Sequence, residues 1–363
     1  MEYIFKDVLD IKNGKNQREV ECPDGQYPIY GSGGVMGYAN DYICEADTVI
    51  IGRKGSINNP IYAEEPFWNV DTAFGLCAKK DILLPKYLFY FCIKFDFERL
   101  NRTVTIPSLT KSDLLKIKIQ VPSLDVQQEV IDKLTKIESI LNFRKQELKL
   151  LDELVRGRFV EMFGDPVVNS KGWIESSLSE KLNVLGGYAF KSDQFDEIDG
   201  IPVLRIGNIN AGYFKPVNMV YWKEDKSLER YAMYPGDLVM SLTGTVGKDD
   251  YGNVCILGND YKMYYLNQRN AKLEIKDGID KYYLSQLLKF EPMKKRLTGI
   301  SRGVRQANIS NKDILNLVVP VPPIELQNQF AAFVHQINKS KFRGLSMLTT
   351  MKSAYEQQTF IYP

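Results

Sequence analysis

The stretch that decides the fold reads Ile119-Gln120-Val121-Pro122-Ser123-Leu124-Asp125-Val126-Gln127-Gln128. It returns as Val319-Pro320-Val321-Pro322-Pro323-Ile324-Glu325-Leu326-Gln327-Asn328. The two copies lie 200 residues apart (319 − 119), and residues 108–115 align with 308–315 at the same distance. A repeat at this separation indicates a duplicated structural unit.

Apolar residues follow each copy at helical spacing. After the first copy the intervals are 4, 3, 4, 7, 3 and 4 residues, and the second copy keeps the same register. Heptad-like spacing predicts long helices that pair along a narrow seam, each of about 35 residues or ~50 Å. The alternative is a pair of amphipathic helices, each packed only on its own globule. The residues predicted to pair the helices are Val130, Leu134, Ile137, Leu141, Leu148, Leu151, Val155, Phe330, Val334, Ile337, Leu348, Met351 and Tyr355.

Strand and helix patterns alternate in the stretch before each long helix, which indicates mixed secondary structure in both halves. The sequence therefore predicts an α+β (mixed α/β) fold with two globules, each followed by a long helix. The helices are expected to pair as an antiparallel coiled coil with pseudo-two-fold symmetry. The predicted globules are 1–122 and 164–322, and the predicted helices are 123–163 and 323–360. Gly164-Asp165-Pro166 carries the turn residues that would stop the first helix.

The composition is that of a folded protein with more than one domain. The chain has 363 residues, of which 44% are hydrophobic, and no apolar run reaches the ~18 residues of a membrane span. The N-terminus does not read as a secretory signal, and the five cysteines are scattered, so we expect reduced thiols in a cytoplasmic protein. The net charge is only +2, so any nucleic-acid footprint must be a local patch or be completed by a partner.

Motifs for catalysis are weak in this sequence. A single histidine leaves nothing from which to build a histidine-based acid–base site or a histidine metal cluster. The glycines from Gly31 to Gly37 fit a hairpin turn better than a nucleotide-binding loop, because both flanks are strand-like. Asn59-Pro60-Ile61-Tyr62 is similar to an adenine-methyltransferase motif but lacks its second proline. We therefore predict neither a catalytic site nor a metal site.

Loops rich in Arg, Asn, Gln, Ser and Thr are the best candidates for binding DNA. Arg pairs with guanine edges, Asn and Gln pair with adenine edges, and Lys and hydroxyl groups hold phosphates. For any one residue, an ordinary solvated loop is an equally good interpretation. The candidates are Arg53, Lys54, Ser56, Thr103, Thr105 and Ser108 in the first half, and Thr243, Thr245, Lys248, Asn267, Gln268, Arg269, Ser301, Arg302, Arg305 and Gln306 in the second. The first set holds fewer strong base readers, so we expect the two halves to read different sequences.

The repeat and its two helix-opening turns resemble the specificity subunits of type I restriction–modification systems, over essentially the whole chain. In that family the turn has the form Pro-x-Pro-Pro-Leu-x-x-Gln. The matching positions are Pro122, Leu124, Gln127, Pro320, Pro322, Pro323, Ile324 and Gln327. The sequence departs from the pattern at Ser123, and at Val126 and Leu326, where an acid is common. Residues 159–166 also look like the family's junction between the first helix and the second domain.

The resemblance implies a DNA-recognition subunit with no catalytic site and no cofactor of its own. Each globule would be a target-recognition domain that reads one half of a bipartite site in double-stranded DNA. The helices would set the unread spacer and dock two modification subunits, which hold S-adenosylmethionine. Restriction subunits, with ATP and Mg on the partner side, would complete the complex.

Three alternatives remain open at this point. The chain could serve a related system that cuts on both sides of its site, or it could be an enzyme, either a stand-alone DNA methyltransferase or a fused restriction enzyme. It could also be an adaptor whose globules bind proteins or glycans. Methyl transfer by the chain alone would favour the second alternative, and a function independent of DNA would favour the third.

Overall fold

The computed structural model describes residues 1–101, 106–248, 250–299 and 306–358, with side chains throughout except at 342, 343, 345, 346 and 349–358. By its internal contacts the chain divides into two compact units. The first comprises Met1–Gln146 together with the described chain from Gly344 onward, and the second is Glu147–Arg343.

Where it is described, the first unit contains short strands, three short α-helices and most of a long one. Its strands are β1 (Glu2–Ile4), β2 (Leu9–Asn13), β3 (Tyr27–Gly31), β4 (Gly34–Ala39), β5 (Thr48–Gly52), β6 (Ile61–Ala63), β7 (Trp68–Asn69), β8 (Ala73–Ala78) and β9 (Lys118–Gln120). Its α-helices are α1 (Phe5–Val8), α2 (Pro85–Lys94), α3 (Lys111–Leu114) and the long α4 (Leu124–Phe163), which continues into the second unit.

The described residues of this unit form three sheets. A four-stranded antiparallel sheet has the order β2-β8-β5-β6, and β5, one of its two central strands, is buried along its whole length. A three-stranded sheet, β4-β3-β7, contains the hairpin that the glycines predicted and a parallel pairing of β3 with β7. The pair β1-β9 brings the N-terminus beside the strand that leads into α4. Residue Tyr62, from the methyltransferase-like motif, lies in β6 and donates a hydrogen bond to Asp47.

The second unit contains more strands and the second long helix. Its strands are β10 (Glu175–Ser177), β11 (Leu182–Gly186), β12 (Ile201–Leu204), β13 (Tyr221–Trp222), β14 (Ala232–Met233), β15 (Leu238–Ser241), β16 (Thr243–Thr245), β17 (Val254–Ile256), β18 (Tyr264–Leu266), β19 (Asn270–Ile275), β20 (Gln306–Asn308) and β21 (Val318–Pro320). Its α-helices are α5 (Leu178–Lys181), α6 (Ile206–Ile209), α7 (Lys281–Lys289), α8 (Glu291–Thr298), α9 (Asn311–Leu315) and the long α10 (Ile324–Gln358), which continues into the first unit.

The second unit repeats the sheet order of the first. The sheet β11-β19-β15-β17 corresponds to β2-β8-β5-β6, and β13-β12-β18 corresponds to β4-β3-β7, including the parallel pairing of its last two strands. The pair β10-β21 corresponds to β1-β9. Short helices α3 and α9 begin alike, since Thr110 and Ser310 each accept a hydrogen bond from a backbone N–H three residues on. The duplication in the sequence is therefore a duplication of the fold.

Each long helix is shared between the two units. The predicted boundaries between globules and helices stay predictions. The reason for the sharing is packing at the helix ends. Val130 and Leu134 lie with the core of the first unit, and Val155 and Phe159 lie in the core of the second. Because its two ends pack into different cores, α4 belongs to both units.

The long helices run antiparallel where they meet. In the second unit Phe159 contacts Phe330, with ring centroids 5.6 Å apart, while Asp152 accepts a hydrogen bond from Lys341. Moving toward the N-terminus of α4 therefore means moving toward the C-terminus of α10. In the first unit Arg144 lies against Met347.

The predicted pairing residues take several positions in this arrangement. Phe330 and Val334 are buried in the second core with Val155, and Ile337 packs against that core. The side chains half-buried along the helices are Ile137, Leu141, Leu148, Leu151 and Leu348. The side chains of Met351 and Tyr355 lie outside the described part of the chain. The assignment of this whole set to helix pairing stays a prediction.

Glycine ends the first long helix where the sequence predicted a stop. Gly164 has a φ of +77°, and a Cβ there would lie 2.3 Å from the Ser170 hydroxyl oxygen. Glycine adopts this left-handed conformation at no steric cost, and the helix ends at Phe163, the residue before it.

Candidate nucleic-acid interface

In the first globule, a loop at the end of β5 carries the best candidates. Arg53, Lys54 and Ser56 are exposed there. The backbone N–H of Arg53 donates to Thr72 O at 2.7 Å, and its carbonyl accepts from Leu109 N at 2.9 Å. The backbone of the loop is therefore hydrogen-bonded to a neighbouring segment on each side, and these bonds position its side chains.

The Arg53 side chain is itself positioned. Its guanidinium lies 5.8 Å from the centroid of the Phe74 ring and donates to Asp71 O at 3.4 Å. Lys54 forms a backbone bridge with Ser108, so these two predicted residues are neighbours. The Lys54 ammonium group has no hydrogen-bond partner within the described ranges of the chain. This arrangement leaves a free cation beside an oriented guanidinium, the chemistry that phosphate and guanine contacts use.

In the second globule, the same backbone connections hold a different set of residues. Leu242 N donates to Arg269 O at 2.8 Å, and Ile309 N donates to Leu242 O at 2.8 Å. Leu242 therefore occupies the place of Arg53, and Arg269 the place of Thr72. Gln268 and Arg269 are exposed, and Asn267 is half-buried. The turn from 267 to 269 thus offers two amides and one guanidinium where the first globule has Val70, Asp71 and Thr72.

A glycine builds this turn in both globules. A Cβ on Gly14 would lie 1.8 Å from Val70 O, and a Cβ on Gly187 would lie 2.1 Å from Asn267 O. Real Cβ atoms do not approach oxygen so closely, so both positions require glycine. The residue after each glycine donates its backbone N–H at 2.9 Å, to Asn69 O in the first globule and to Leu266 O in the second. The two sites are therefore equivalent in backbone and different in side chains.

The strand pair β16–β20 forms the rest of the second site. Thr243 pairs with Asn308, and Thr245 with Gln306, which is exposed. The hydroxyl of Thr245 donates to Asp250 at 2.9 Å, while the Thr243 hydroxyl oxygen is buried without a partner in the described part of the chain. Burial raises the pKa of Asp250, but the hydrogen bonds from Thr245 outweigh it and lower that pKa. A phosphate contact through either hydroxyl would need this turn to rearrange, and it stays a prediction.

Lys248 is exposed on the turn that follows, where its backbone N–H donates to Thr245 O at 3.0 Å. The remaining candidates, Thr103, Thr105, Ser301, Arg302 and Arg305, lie outside the described residues. Roles in DNA binding stay predictions for all of the candidates.

Two exposed residues beside these turns were missed by the sequence analysis. Tyr188 follows Gly187, is 38% exposed and packs against Phe190 with centroids 4.9 Å apart. Lys15 holds the equivalent place after Gly14 and is exposed. The signal that could have found them is the glycine at the end of β2 and of β11, but the separation there is 173 residues (187 − 14).

The described part of the chain contains no group of three or more His, Cys, Asp or Glu side chains arranged to hold a metal ion. None of the described helices is both long enough and apolar enough to cross a membrane.

Comparison with known proteins gives a consistent family. The family model "Type I restriction modification DNA specificity domain" matches residues 1–152 and 170–343. The type I restriction enzyme MjaVIII specificity subunit of Methanocaldococcus jannaschii is 25% identical over 349 residues, which cover 87% of this chain and 78% of the relative. The EcoBI specificity subunit of Escherichia coli is 27% identical over 179 residues, 47% of this chain and 34% of that protein.

Solved structures agree on the fold. A type I restriction–modification S subunit from M. genitalium superposes with a TM-score of 0.65 at 17% identity, covering 100% of this chain and 96% of the other. A chain from a type I R-M system, solved to explain complex assembly and conformational transition, gives a TM-score of 0.55 at 14% identity, with coverage of 99% and 96%. At these identities the likeness establishes the fold.

Proposed function

The chain belongs to the family of type I restriction–modification DNA specificity domains, and from this premise we propose that each of its globules reads one half of a bipartite DNA site. As a specificity subunit, the chain binds DNA within a larger complex and contributes recognition, while catalysis belongs to other subunits. The observation that carries the proposal is the duplicated turn. Its backbone frame, the glycine and the backbone hydrogen bonds around residues 53 and 242, is the same in both globules. The exposed side chains on that frame differ.

The chemistry of the two sites supports separate readings. The first site presents Arg53 and Lys54 from the end of a strand, and the second presents Gln268 and Arg269 from a turn. Arginine forms bidentate hydrogen bonds with guanine, and glutamine does so with adenine. Because the positive charge lies on different segments of the frame, the two globules would prefer different base sequences.

The long helices would set the number of unread base pairs between the half-sites. They are continuous over 40 residues in α4 and 35 residues in α10, and they contact each other in antiparallel register. An α-helix rises 1.5 Å per residue, so helices of this length extend beyond the ~34 Å of one turn of DNA. Two long paired helices would be a suitable ruler for a fixed spacer.

The same helices would dock two modification subunits, which bring S-adenosylmethionine. An apolar surface on α4 supports this part of the proposal. Leu150 is 62% exposed and Leu154 is 50% exposed, one turn apart on one face. A Cβ at Gly157, one turn further along, would meet nothing within 4 Å. Exposed leucines in line with a glycine are typical of a helix face that another helix covers. Restriction subunits, with ATP and Mg, would join the assembled core.

A methyl-transfer assay tests the proposal against its main rival. The chain, a cognate modification subunit and a mixture of the two are incubated with unmethylated genomic DNA and labelled S-adenosylmethionine. We expect label in DNA only with the mixture. Label with the chain alone would show a stand-alone methyltransferase, and label with the modification subunit alone would show that recognition lies elsewhere.

A further inference from the structure

A buried glutamine stands at the start of each long helix. Gln127 is the fourth residue of α4, and Gln327 is the fourth residue of α10. Both side chains are fully buried, whereas Gln128 and Asn328, the next residues along, are exposed. A primary amide inside a protein needs partners for its oxygen and its nitrogen, so each of these glutamines must be held by the globule.

In the first unit the amide of Gln127 bonds three backbone groups on two segments of the chain. Its Oε1 accepts a hydrogen bond from Leu84 N at 2.8 Å, and Leu84 is the residue that caps α2. Its Nε2 donates to Ile82 O at 2.8 Å and to Pro122 O at 2.9 Å. One side chain of the long helix is thereby fixed to the link before α2 and to the link before α4.

In the second unit Gln327 makes the same connections. Its Oε1 accepts from Asp280 N at 2.8 Å, and Asp280 caps α7. Its Nε2 donates to Pro322 O at 2.7 Å and to Gly278 O at 3.5 Å. The two amides therefore share not only their position in the helix but also the identity of each partner segment.

A tyrosine completes the junction in both units. The hydroxyl of Tyr87, in the first turn of α2, donates to Gln120 O at 3.2 Å. The hydroxyl of Tyr283, in the first turn of α7, donates to Pro320 O at 2.7 Å. Each bond reaches the strand that leads into the long helix. We call each set of one glutamine and one tyrosine the helix junction of its globule.

Such a junction restricts rotation as well as distance. An amide held at its oxygen and by both of its N–H groups cannot turn without leaving a buried polar atom unpaired. The orientation of each globule on its helix matters, because one additional base pair moves a half-site by about 3.4 Å along DNA and turns it by about 35° around the axis. A globule that could swivel on its helix would accept half-sites at several spacings.

We propose that Gln127 and Gln327 are positioning residues that hold each globule at a fixed angle to its helix and so restrict the length of the unread spacer. This inference rests on the proposed function, since it assigns a geometric role to a chain that reads two half-sites. It goes beyond that function because it places spacer selection in two buried amides outside the DNA-reading loops, in addition to the length of the helices.

The test is a genome-wide map of N6-methyladenine in a host that produces the modification subunit with one form of the chain at a time. The forms are the wild-type chain, Gln127→Met, Gln327→Met and the matched exposed control Gln128→Met. A genome contains every pair of half-sites at every spacing, so the map gives the half-site sequences and the spacer lengths together.

We expect the wild-type chain and Gln128→Met to give one spacer length. We expect Gln127→Met and Gln327→Met to keep both half-site sequences and to methylate spacers one base pair shorter or longer about tenfold more often, the factor set by the net free energy of one or two hydrogen bonds. Reduced methylation confined to the wild-type spacer would overturn the inference, because it would show a purely structural role.

A second pair of variants covers the case in which the methionine variants do not fold. Tyr87→Phe and Tyr283→Phe each remove one junction hydrogen bond and keep the aromatic ring, and they are scored by the same spacer distribution. An unaltered spacer in these variants, with the protein folded by circular dichroism, would also overturn the inference. Absence of any split motif with the wild-type chain would instead count against the proposed function, and it would be seen before any variant is compared.

Discussion

The two globules share a backbone frame and differ in the side chains at equivalent positions of that frame. In both, a glycine lies against the carbonyl at the start of a short turn. The backbone hydrogen bonds that join residue 53 to residues 72 and 109 in the first globule join residue 242 to residues 269 and 309 in the second. The first frame carries an arginine at 53 and a threonine at 72, and the second carries a leucine at 242 and an arginine at 269. The two copies therefore share the backbone support and differ in the side chains that it carries.

Replacing the frame glycines should have the largest effect of the predicted changes. Gly14→Ala and Gly187→Ala place a Cβ on a backbone oxygen, so we expect each to lower the free energy of unfolding by about 3 kcal/mol, the upper range for overpacking. Gly33→Ala and Gly207→Ala are matched controls, because a Cβ there meets nothing within 4 Å. Denaturant unfolding measures all four. Equal losses at the frame and control positions would contradict the claim of a sterically required glycine.

Replacing one arginine in each site should show which globule recognises which half-site. Arg53→Ala is expected to relax one half-site, and Arg269→Ala the other, at a cost of about 1–3 kcal/mol for the lost base contact. Arg99→Ala and Arg230→Ala, exposed in the same globules, serve as controls. Selection from a randomised DNA library, with the assembled complex, reads both halves at once. If each substitution relaxed the sequence preference at both half-sites alike, the proposal that each globule reads one half-site would be wrong.

Substitutions on the exposed face of the long helix α4 should weaken binding of the modification subunit and leave DNA recognition unchanged. Leu150→Ser and Leu154→Ser are expected to weaken binding of the modification subunit by about 1–2 kcal/mol each, because an exposed leucine that becomes buried in a complex gains a comparable free energy. Half-site sequences should not change. Titration calorimetry with the modification subunit measures the loss, and Val168→Ser, a change at another exposed apolar residue, is the control. Unchanged affinity would remove this surface from the interface.

A single lysine should have the smallest effect. Lys54→Ala removes a free cation beside Arg53, so we expect a uniform weakening of DNA binding across sequences and a salt dependence with a slope lower by about one. Lys116→Ala, at an exposed lysine in the same globule, is the comparison. Binding measured at several salt concentrations checks the slope. A changed half-site preference would mean that Lys54 contacts a base.

Much of this fold could be predicted from local patterns in the sequence. The turns before the long helices, the apolar seam and the stop at Gly164 indicated where both helices begin and where the first one ends. The repeat at 200 residues indicated two similar globules. These features depend on residues that are close in sequence or at constant spacing, which is why pattern reasoning found them.

The equivalence of the two sites could not be predicted, because the spacing changes along the repeat. Equivalent positions are separated by 173 residues at Gly14 and Gly187, by 189 at Arg53 and Leu242, and by 200 at the start of the long helices. Insertions in the second globule shift the alignment, so Tyr188 and Lys15 were overlooked. The parallel pairings of β3 with β7 and of β12 with β18 join strands that are far apart in sequence. The buried role of Gln127 and Gln327 depends on such contacts as well.

The most direct test of the central claim is a genome-wide map of N6-methyladenine in cells that produce the modification subunit, with and without this chain. We predict one split motif, two short half-sites around an unread spacer, that is methylated only when the chain is present. Methylation of the same motifs in both strains would contradict the claim that this chain selects the DNA sequence.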